Sequence, residues 1–462
     1  MDFIAFVALL PLGENGAFSN LGGIYMGIKV AKFGGSSLAD AGQFKKVYEI
    51  LKSDPSRRFA VPSAPGKRFA EDIKITDMLY SCHKMASKGE DFQELFEQIV
   101  SRYTDIVREL GLDFDIRPAL YEARDNIRRF DNPDYAASRG EYFSAMILSK
   151  YLGWDFIDAA EVIKFDRQGA FAAEWTNELL SQRLKCHRYA VIPGFYGSLP
   201  NGDIKTFSRG GSDVSGALVA RAAGAVLYEN WTDVSGFLMA DPRIVKNPRR
   251  IERLTYRELR ELSYMGATVL HEDAVFPVHK AGIPTNIRNT NRPDDPGTMI
   301  VTNHEGTQRP NIITGIAGHK NFTLLSIEKA MMNSELGFGR RVLQALEEFG
   351  VSFEHLPTGI DTMCVILSDS ELQKHKDEII ARIEENCHPD SIEISGGLAL
   401  IATVGQGMVS SRGTAAKLFM ALAAADINVR MIDQGSSELN IIVGVDVKDF
   451  EDAVRAIYSA FV

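Results

Sequence analysis

A lysine, two glycines and two serines succeed one another where a buried strand near the start of the chain is predicted to end. The segment reads KFGGSS and contains Lys32, Gly34, Gly35, Ser36 and Ser37. Glycines allow backbone N–H groups to converge on one point. Serines can cap a following helix, whose N-terminus favours negative charge. The spacing therefore predicts a turn that holds a phosphate, with an ordinary strand-to-helix loop as the alternative for this segment alone.

A second turn of the same kind precedes an alanine-rich helical stretch. In RGGSD, Arg209 stands before Gly210 and Gly211, and Ser212 and Asp213 open the helix. Asp213 taken alone could be no more than a helix cap. Two turns of this type in one part of the chain favour anion binding over that reading.

Three further polar residues stand where strands are predicted to end or helices to begin. Glu141, in SRGE, would lie in a first helical turn, where it either complements the helix dipole or faces an ammonium group. Ser63 ends a strand and Thr76 opens a helix, so both hydroxyl groups could face one cleft.

The segment TDVSGFLMADPR combines polar and apolar residues that suit a nucleotide. Thr232, Asp233 and Arg243 flank the apolar stretch 237–239, which could cover a flat base. A surface hairpin explains the segment equally well when it is taken alone.

The elements that must position these residues alternate along the first part of the chain. From about residue 28 to about residue 305, short apolar runs such as IKVAKF and AVLYENWTD alternate with helical patterns. Such alternation predicts an α/β fold with a doubly wound, mostly parallel sheet and helices on both faces. Ligands bind beyond the carboxyl ends of strands in such sheets, which is where the candidate residues are expected.

The tail contains an internal repeat. Two passages that follow residue 308 each read strand, glycine turn, helix, strand, hairpin, strand, helix. This order predicts two ferredoxin-like βαββαβ units of about seventy residues, and two unrelated α+β fragments are the alternative. The predicted domains are 28–308, 309–390 and 391–462. They follow an N-terminal extension, 1–27, that is either disordered or introduced by cloning.

Composition argues against several classes of function. The chain of 462 residues has a formal net charge of -10, and an acidic chain repels nucleic acid. No apolar run reaches the length that crosses a membrane, so no membrane partner is expected. The cysteines form no CxxC pair and show no metal-ligand spacing, which favours free thiols and a cytoplasmic location. They are Cys82, Cys186, Cys364 and Cys387.

Taken together, the motifs resemble a known family. KFGGSS, SAPGKR, SRGE, RGGSD and TDVSGFLMADPR occur in this order between residues 32 and 243, as in the aspartate kinases of the amino acid kinase family. The paired βαββαβ units resemble the tandem ACT domains that follow such catalytic domains. The resemblance covers about residues 28–462, and the length of the chain favours the monofunctional form.

The resemblance implies ATP-dependent phosphorylation of the side-chain carboxylate of L-aspartate to aspartyl 4-phosphate, the entry step to lysine, threonine and methionine synthesis. The cofactor would be Mg-ATP, with the magnesium ion held by the nucleotide and not by a protein metal site. An amino acid bound at the ACT domains, lysine in the first place, would inhibit the enzyme. The ACT domains would also assemble a homodimer or a larger homo-oligomer.

The resemblance also implies residue roles. Lys32, which holds the transferred phosphoryl group, and Asp213, which orients this lysine or the substrate ammonium, would be catalytic. Aspartate would be bound by Ser63, Thr76, Glu141, Arg209, Gly210, Gly211 and Ser212. ATP would be bound by Gly34, Gly35, Ser36, Thr232, Asp233, Leu238 and Arg243. The effector would be bound by Phe338, Gly339, Thr358 and Asp361.

Two positions depart from the pattern of the family. Leu238 stands where many relatives carry a tyrosine, and Thr268 where they carry a lysine. Leu238 can still pack on adenine, whereas Thr268 removes one nucleotide contact.

Two rival functions remain. Another carboxylate or carbamate kinase of the same fold is disfavoured by the paired tail units and by RGGSD. A catalytically inactive amino acid sensor is disfavoured because Lys32, Glu141, Arg209 and Asp213 are all present.

Overall fold

The first part of the molecule is built around one large sheet. The computed structural model describes residues 27–208, 210–267, 270, 272–303 and 311–462. The strands of this part are β1 (Lys29–Phe33), β2 (Arg57–Pro62), β3 (Asp155–Phe156), β4 (Ala190–Val191), β5 (Tyr196–Ser198), β6 (Ile204–Thr206), β7 (Leu227–Thr232), β8 (Arg253–Thr255), β9 (Thr285–Asn289) and β10 (Thr298–Val301). Eight of them form a sheet in the order β3-β4-β2-β1-β7-β9-β10-β8, and β5 and β6 form a separate hairpin. Within the large sheet the described pairs are parallel except β9 with β10.

Helices cover both faces of this sheet. They are α1 (Ala41–Ser53), α2 (Ile75–Ser87), α3 (Gln93–Glu109), α4 (Arg117–Arg129), α5 (Pro133–Leu152), α6 (Ala159–Val162), α7 (Ala173–Lys185), α8 (Gly211–Ala222), α9 (Tyr256–Tyr264) and α10 (Phe276–Lys280). Alternate side chains of a strand point to opposite faces. Accordingly, Val30 packs in one core cluster, whereas Ala31 and Phe33 pack in another. Lys32 therefore points to the face that carries α8.

The tail forms a second, antiparallel sheet. Its strands are β11 (Gly315–Glu328), β12 (Thr362–Ser368), β13 (Ser391–Val404), β14 (Val429–Asp433) and β15 (Asn440–Asp446). Its helices are α11 (Phe338–Glu348), α12 (Asp369–Cys387), α13 (Thr414–Ala424) and α14 (Phe450–Phe461). The strand order is β12-β11-β13-β15-β14. A mostly parallel α/β domain followed by antiparallel α+β units confirms the predicted fold class.

The two tail units share their longest strands. The start of β11, Gly315–His319, pairs with the end of β13, while the rest of β11 pairs with β12 and with the start of β13. The end of β13 also pairs with β15. Each 14-residue strand thus contributes to both units. The boundary predicted after residue 390 precedes such a shared strand and stays a prediction.

Hydrogen bonds fasten the tail to the first part of the molecule through α9. The carboxylate of Glu258 accepts hydrogen bonds from Thr314 Oγ1 at 2.6 Å and from the Gln406 amide at 2.9 Å. Burial raises the pKa of Glu258, but hydrogen bonds from Thr314, Thr255 and Gln406 outweigh it and leave the pKa below its usual value. The contact therefore involves an ionised, fully used carboxylate.

Two further expectations can be compared with the described residues. All four cysteines are free thiols, as predicted. Within the part of the chain that the structure describes, the helices are too short or too polar to cross a membrane.

Candidate active site

Three loops meet at the carboxyl ends of β1, β2 and β7. The amide of Gly34 donates a hydrogen bond to the carbonyl oxygen of Trp231 at 2.9 Å. The amide of Ser63 donates to the carbonyl oxygen of Phe33 at 3.0 Å. These bonds place the turn after β1 between the two neighbouring strand ends, where a parallel sheet offers its ligand crevice. The Gly34 amide is engaged in holding the turn, so a phosphate bound there would have to be contacted by amides further along it.

The glycine turn is pressed against the loop that follows β2. The Gly66 amide donates to the Gly35 carbonyl oxygen at 2.8 Å. A Cβ atom on Gly35 would lie 3.0 Å from the carbonyl oxygen of Ala64, and one on Gly66 would lie 2.7 Å from the Gly35 carbonyl carbon. Both glycines are therefore required by the close approach of two backbones.

The prediction that Ser36 and Ser37 cap the next helix is wrong. A short 3-10 helix, Gly35–Leu38, follows the strand without a side-chain cap. The cap of α1 is Asp40, whose carboxylate accepts from the Gln43 amide at 2.9 Å. Ser37 instead shares a 2.7 Å hydrogen bond with Thr290 on the loop after β9.

Lys32, which is buried, and Asp213, which is partly buried, form an ion pair at the centre of the site. The Lys32 Nζ lies 2.6 Å from Asp213 Oδ1, and Asn230 Nδ2 donates to the same oxygen at 2.7 Å. Asp213 lies in the first turn of α8, whose N-cap is Gly210 in the left-handed conformation, so the reading of Asp213 as a mere cap is wrong. The carboxylate holds the lysine ammonium at the strand ends.

Gly216 permits this pair by keeping α8 close to β1 and β7. A Cβ atom there would lie 2.5 Å from the Tyr228 hydroxyl oxygen and 3.0 Å from Lys32 Cβ. Tyr228 also donates to the Asp213 carbonyl oxygen at 3.1 Å. The close packing fixes the stem of the lysine as well as its charged end.

Glu141 is a buried carboxyl group with unused hydrogen-bonding capacity. It is 5% exposed, and its Oε2 has no hydrogen-bond partner among the described residues. Burial raises its pKa to about 8, although the Ala64 amide, Ser212 and Lys32 oppose the rise. The site thus keeps a proton on Glu141 at neutral pH, and a buried cation would find a ready partner once that proton leaves.

The predicted position of Glu141 at a helix start is wrong. Helix α5 begins at Pro133 with Asn132 as its cap, so Glu141 lies near the middle of the helix. The neighbouring Gly140 brings α5 against the loop after β2, since a Cβ atom there would lie 2.7 Å from Ala64 Cβ. The carboxyl group therefore enters the site from the side of a helix.

Ser212 and the loop after β2 border this carboxyl group, since Ser212 and the Ala64 amide hydrogen-bond to it. Ser63 begins the loop after β2, and Thr76 lies in the first turn of α2, whose Ile75 amide donates to the Pro65 carbonyl oxygen at 3.3 Å. Gly211 and Ser212 start α8. Arg209 lies outside the described residues, as does Thr268. The substrate roles of these residues stay predictions.

Next to this centre a cavity of about 730 Å³ is lined by Thr232, Asp233, Leu238 and Arg243. The four residues predicted in this segment to bind nucleotide thus share one wall of one cavity. Arg243 is paired with Asp241 at 2.6 Å, and its side chain is 88% exposed.

The apolar stretch 237–239 does not cover the cavity as a unit. Phe237 and Met239 are buried in the core, and Leu238 is the exposed member. The Phe237 amide donates to Thr298 Oγ1 at 2.8 Å, which anchors the stretch to β10. Only Leu238 is thus placed to pack on a base.

The sequence did not indicate the opposite wall of this cavity. It is formed by residues of β11 and α14, among them His319, Lys320 and Glu451. No local pattern connects these residues with TDVSGFLMADPR, because the tail reaches them only through tertiary packing.

The predicted effector residues lie at one end of α11. The Lys329 amide donates to the Asp361 carbonyl oxygen at 2.8 Å, and the Lys329 ammonium lies 5.6 Å from the centroid of the Phe338 ring. Gly339 approaches Met363, which forms a bridge with Thr358. The four predicted residues are therefore brought together, although their role stays a prediction.

In the described ranges no group of three or more histidine, cysteine, aspartate or glutamate side chains has an arrangement that could hold a metal ion. A magnesium ion carried by the nucleotide is compatible with such a site and stays a prediction.

Comparisons with known proteins show the families to which the two parts of the chain are similar. A family model described as the amino acid kinase family matches residues 27–289, and one described as an ACT domain matches residues 401–461. Aspartokinase 3 of Bacillus subtilis is 40% identical over 453 residues, which is 94% of this chain and 98% of the relative.

Two solved proteins are similar over nearly the whole chain. The aspartate kinase of Clostridium acetobutylicum, described as an allosteric enzyme, is 56% identical, with a TM-score of 0.91 over 94% of this chain and 100% of that chain. Aspartokinase III of E. coli was solved with aspartate and ADP and also with lysine and aspartate. Each of these structures is 26% identical, with a TM-score of 0.73 over 94% of this chain and 99% of that chain.

Proposed function

The chain belongs to the amino acid kinase family, among the aspartokinases, and carries a C-terminal ACT domain, and we propose that it transfers the terminal phosphoryl group of ATP to the side-chain carboxylate of L-aspartate. The observation that carries the proposal is the meeting of Lys32, Asp213 and Glu141 at the carboxyl ends of the strands. The E. coli relative that was solved with aspartate and ADP supports the same substrates.

The charges of the site suit an amino acid with an anionic side chain. Glu141 offers an unpaired carboxylate oxygen to the α-ammonium group. Ser63, Thr76 and Arg209 bind the carboxylates of the substrate. Lys32 lies beside the glycine turn, where a Cβ atom on Gly34 would be 3.7 Å from the lysine Nζ, so the side-chain carboxylate would meet the transferred phosphorus next to the lysine ammonium.

The transfer requires alignment rather than proton abstraction. An aspartate side chain has a pKa near 3.9 and is ionised at neutral pH, so no general base is needed. A carboxylate oxygen forms a bond to the γ-phosphorus while the bond from that phosphorus to the β–γ bridging oxygen breaks, and ADP leaves with the electron pair. Lys32 offsets the repulsion between the two anions. Magnesium on the nucleotide supplies further positive charge.

ATP occupies the cavity beside the strand ends. Thr232, Asp233, Leu238 and Arg243 form its wall. The phosphates would extend from the cavity toward Gly34, Gly35 and Ser36 in the turn after β1. To bind the nucleotide, the Arg243 guanidinium must break its ion pair with Asp241 and contact the nucleotide instead. The Arg243 side chain is exposed, so this exchange has a small cost.

The tail acts as an amino acid sensor. Phe338, Gly339, Thr358 and Asp361 bind the effector at the end of α11, and lysine is the effector to test first, because the E. coli relative was solved with lysine. The tail would also join subunits into a homodimer or a larger assembly, in the cytoplasm, at the entry to lysine, threonine and methionine synthesis.

A trapping assay tests the acceptor directly. The protein is incubated with Mg-ATP and L-aspartate in the presence of hydroxylamine, which converts an acyl phosphate into a coloured hydroxamate. We expect hydroxamate with aspartate and little with glutamate or carbamate. Product that required one of these other acceptors would contradict the proposed substrate, and ligand binding without any product would instead favour the inactive sensor.

The effector site is tested by the ratio of inhibited to uninhibited rates. Lysine and threonine are added separately and together to the same assay. Asp361→Asn should relieve the inhibition by lysine, while Asp377→Asn, an exposed change on α12, should retain it. Equal inhibition of both variants would remove Asp361 from the effector site.

A further inference from the structure

The cavity that holds the proposed nucleotide has one wall from each part of the molecule. Residues 232–244 form the near wall, and residues 316–320 of β11 together with residues 450–454 of α14 form the far wall. Its volume of about 730 Å³ is typical of small-molecule sites. A nucleotide in this cavity would therefore contact the tail as well as the kinase part.

Hydrogen bonds tie the two walls together. The Ile316 amide donates to the Met239 carbonyl oxygen at 2.7 Å, and the Arg249 amide donates to the Tyr458 hydroxyl oxygen at 2.9 Å. Gly266 and His319 also line this cavity. A Cβ atom on Gly266 would lie 2.8 Å from the imidazole of His319, so the two residues are closely packed. The near wall therefore keeps its position relative to β11 and α14, and the far wall is a fixed part of the cavity.

Lys320 is the exposed cation of the far wall. Its Nζ lies 3.2 Å from Glu451 Oε1, and the two side chains are 40% and 51% exposed. The same ammonium lies 5.1 Å from the centroid of the Phe450 ring. Exposed ion pairs contribute little stability, so an anionic ligand can take the ammonium from Glu451 at small cost.

The backbone that carries this lysine is held in place. A Cβ atom on Gly318 would lie 2.7 Å from Phe450 Cε2 and 2.5 Å from the Leu400 carbonyl oxygen, so β11 lies directly against α14 and β13. Only the flexible stem of Lys320 needs to move for its ammonium to reach a ligand.

We infer that Lys320 is a nucleotide-binding residue contributed by the tail, whose ammonium contacts the phosphate chain of the nucleotide. A lysine ammonium carries three donors and a full positive charge, which suits an anionic nucleoside diphosphate or triphosphate. The inference rests on the proposed binding of ATP beside Thr232 and Asp233. It follows that a displacement of the tail removes a ligand from the nucleotide and lowers its affinity.

Binding of ADP to the full chain, measured by titration calorimetry, tests the inference. Lys320→Met keeps most of the apolar stem and removes the charge, and should raise the Kd of ADP about fivefold. Glu451→Gln leaves Lys320 without its competitor and should not raise the Kd. Lys376→Met, on the exposed surface of α12 and away from the cavity, should bind like the unmodified protein.

Two results would overturn the inference. An unchanged Kd for Lys320→Met would show that the ammonium does not contact the nucleotide. An equal loss in Lys320→Met and Glu451→Gln would show that the ion pair acts by holding α14 against β11. These outcomes are distinct from a failure of the proposed function, which would appear as an absence of ADP binding or of hydroxamate in the unmodified protein.

Discussion

Binding of aspartate should release a proton, because Glu141 is neutral in the free protein and must be ionised to hold an ammonium group. Burial raises the pKa of Glu141 to about 8. At pH 6.5 about 3% of this carboxyl group is ionised, and at pH 8.5 about 76%. If only the ionised form binds the ammonium, the Kd of aspartate should fall about 25-fold between these two pH values.

Calorimetry measures both parts of this prediction. The Kd of aspartate is determined across the pH range, and the heat at pH 7 is compared in two buffers of different ionisation enthalpy. Nearly one proton should be released to the buffer at pH 7. Succinate is the matched ligand control, because it has both carboxylates and no ammonium, and its binding should not strengthen as the pH rises.

A Kd for aspartate that stays constant from pH 6.5 to pH 8.5 would refute the reasoning, as would uptake of a proton on binding. Glu141→Gln provides a further check. It removes the titrating group, so its weaker binding of aspartate should no longer depend on pH in this range.

Three further predictions concern the same site. Asp213→Asn should lower turnover about 100-fold and should also lower the melting temperature, because the Lys32 ammonium loses the carboxylate that positions and neutralises it; steady-state kinetics and thermal unfolding measure both. Gly216→Ala should lower the free energy of unfolding by roughly 1–3 kcal/mol through overpacking. Gly396→Ala in the tail should not, because a Cβ atom there would be 3.6 Å from its neighbour. Denaturant unfolding of both variants measures the difference. The folded state binds more protons at Glu141 than the unfolded state between its ordinary pKa of 4.5 and about 8. Stability should therefore fall as pH rises through this window, and less so in Glu141→Gln.

The meeting of Lys32 and Asp213 could be predicted from the sequence. Lys32 lies near the carboxyl end of a predicted strand, and Asp213 lies at the start of a helix that was expected at the same edge of the sheet. The carboxyl ends of parallel strands lie together at one edge of a sheet. Gly35 was informative for a related reason, since the close approach of two backbones there requires a residue without a Cβ atom. Chemistry carried by strand ends is therefore readable without tertiary contacts.

The local roles of several side chains could not be predicted. Ser36 and Ser37 have the composition of a helix cap, but a 3-10 turn displaces the start of α1 to Asp40. Glu141 follows a glycine that reads as a helix start, whereas Gly140 serves close packing inside α5. In both cases the residue types suggested a local role at a helix start, and tertiary contacts determined the role that the residues have in the structure.

Contacts between elements that are far apart in the chain could not be predicted from the sequence. The far wall of the cavity, with His319 and Lys320, depends on how β11 packs against α14 and α9. The sharing of β11 and β13 between two repeats depends on strand pairing. An internal repeat predicts the elements of each unit and their order, and it carries no information on which strands of the two units pair.

The central claim, that Lys32 acts on the transferred phosphoryl group, is tested most directly by comparing two lysines of the same strand in the hydroxamate assay. Lys29 is paired with Asp54 at the start of β1, whereas Lys32 is paired with Asp213 at its end. Lys32→Met should lower turnover with Mg-ATP and aspartate by at least about 100-fold, and Lys29→Met by less than about threefold. A Lys32→Met protein that folds normally and keeps most of its turnover would contradict the account.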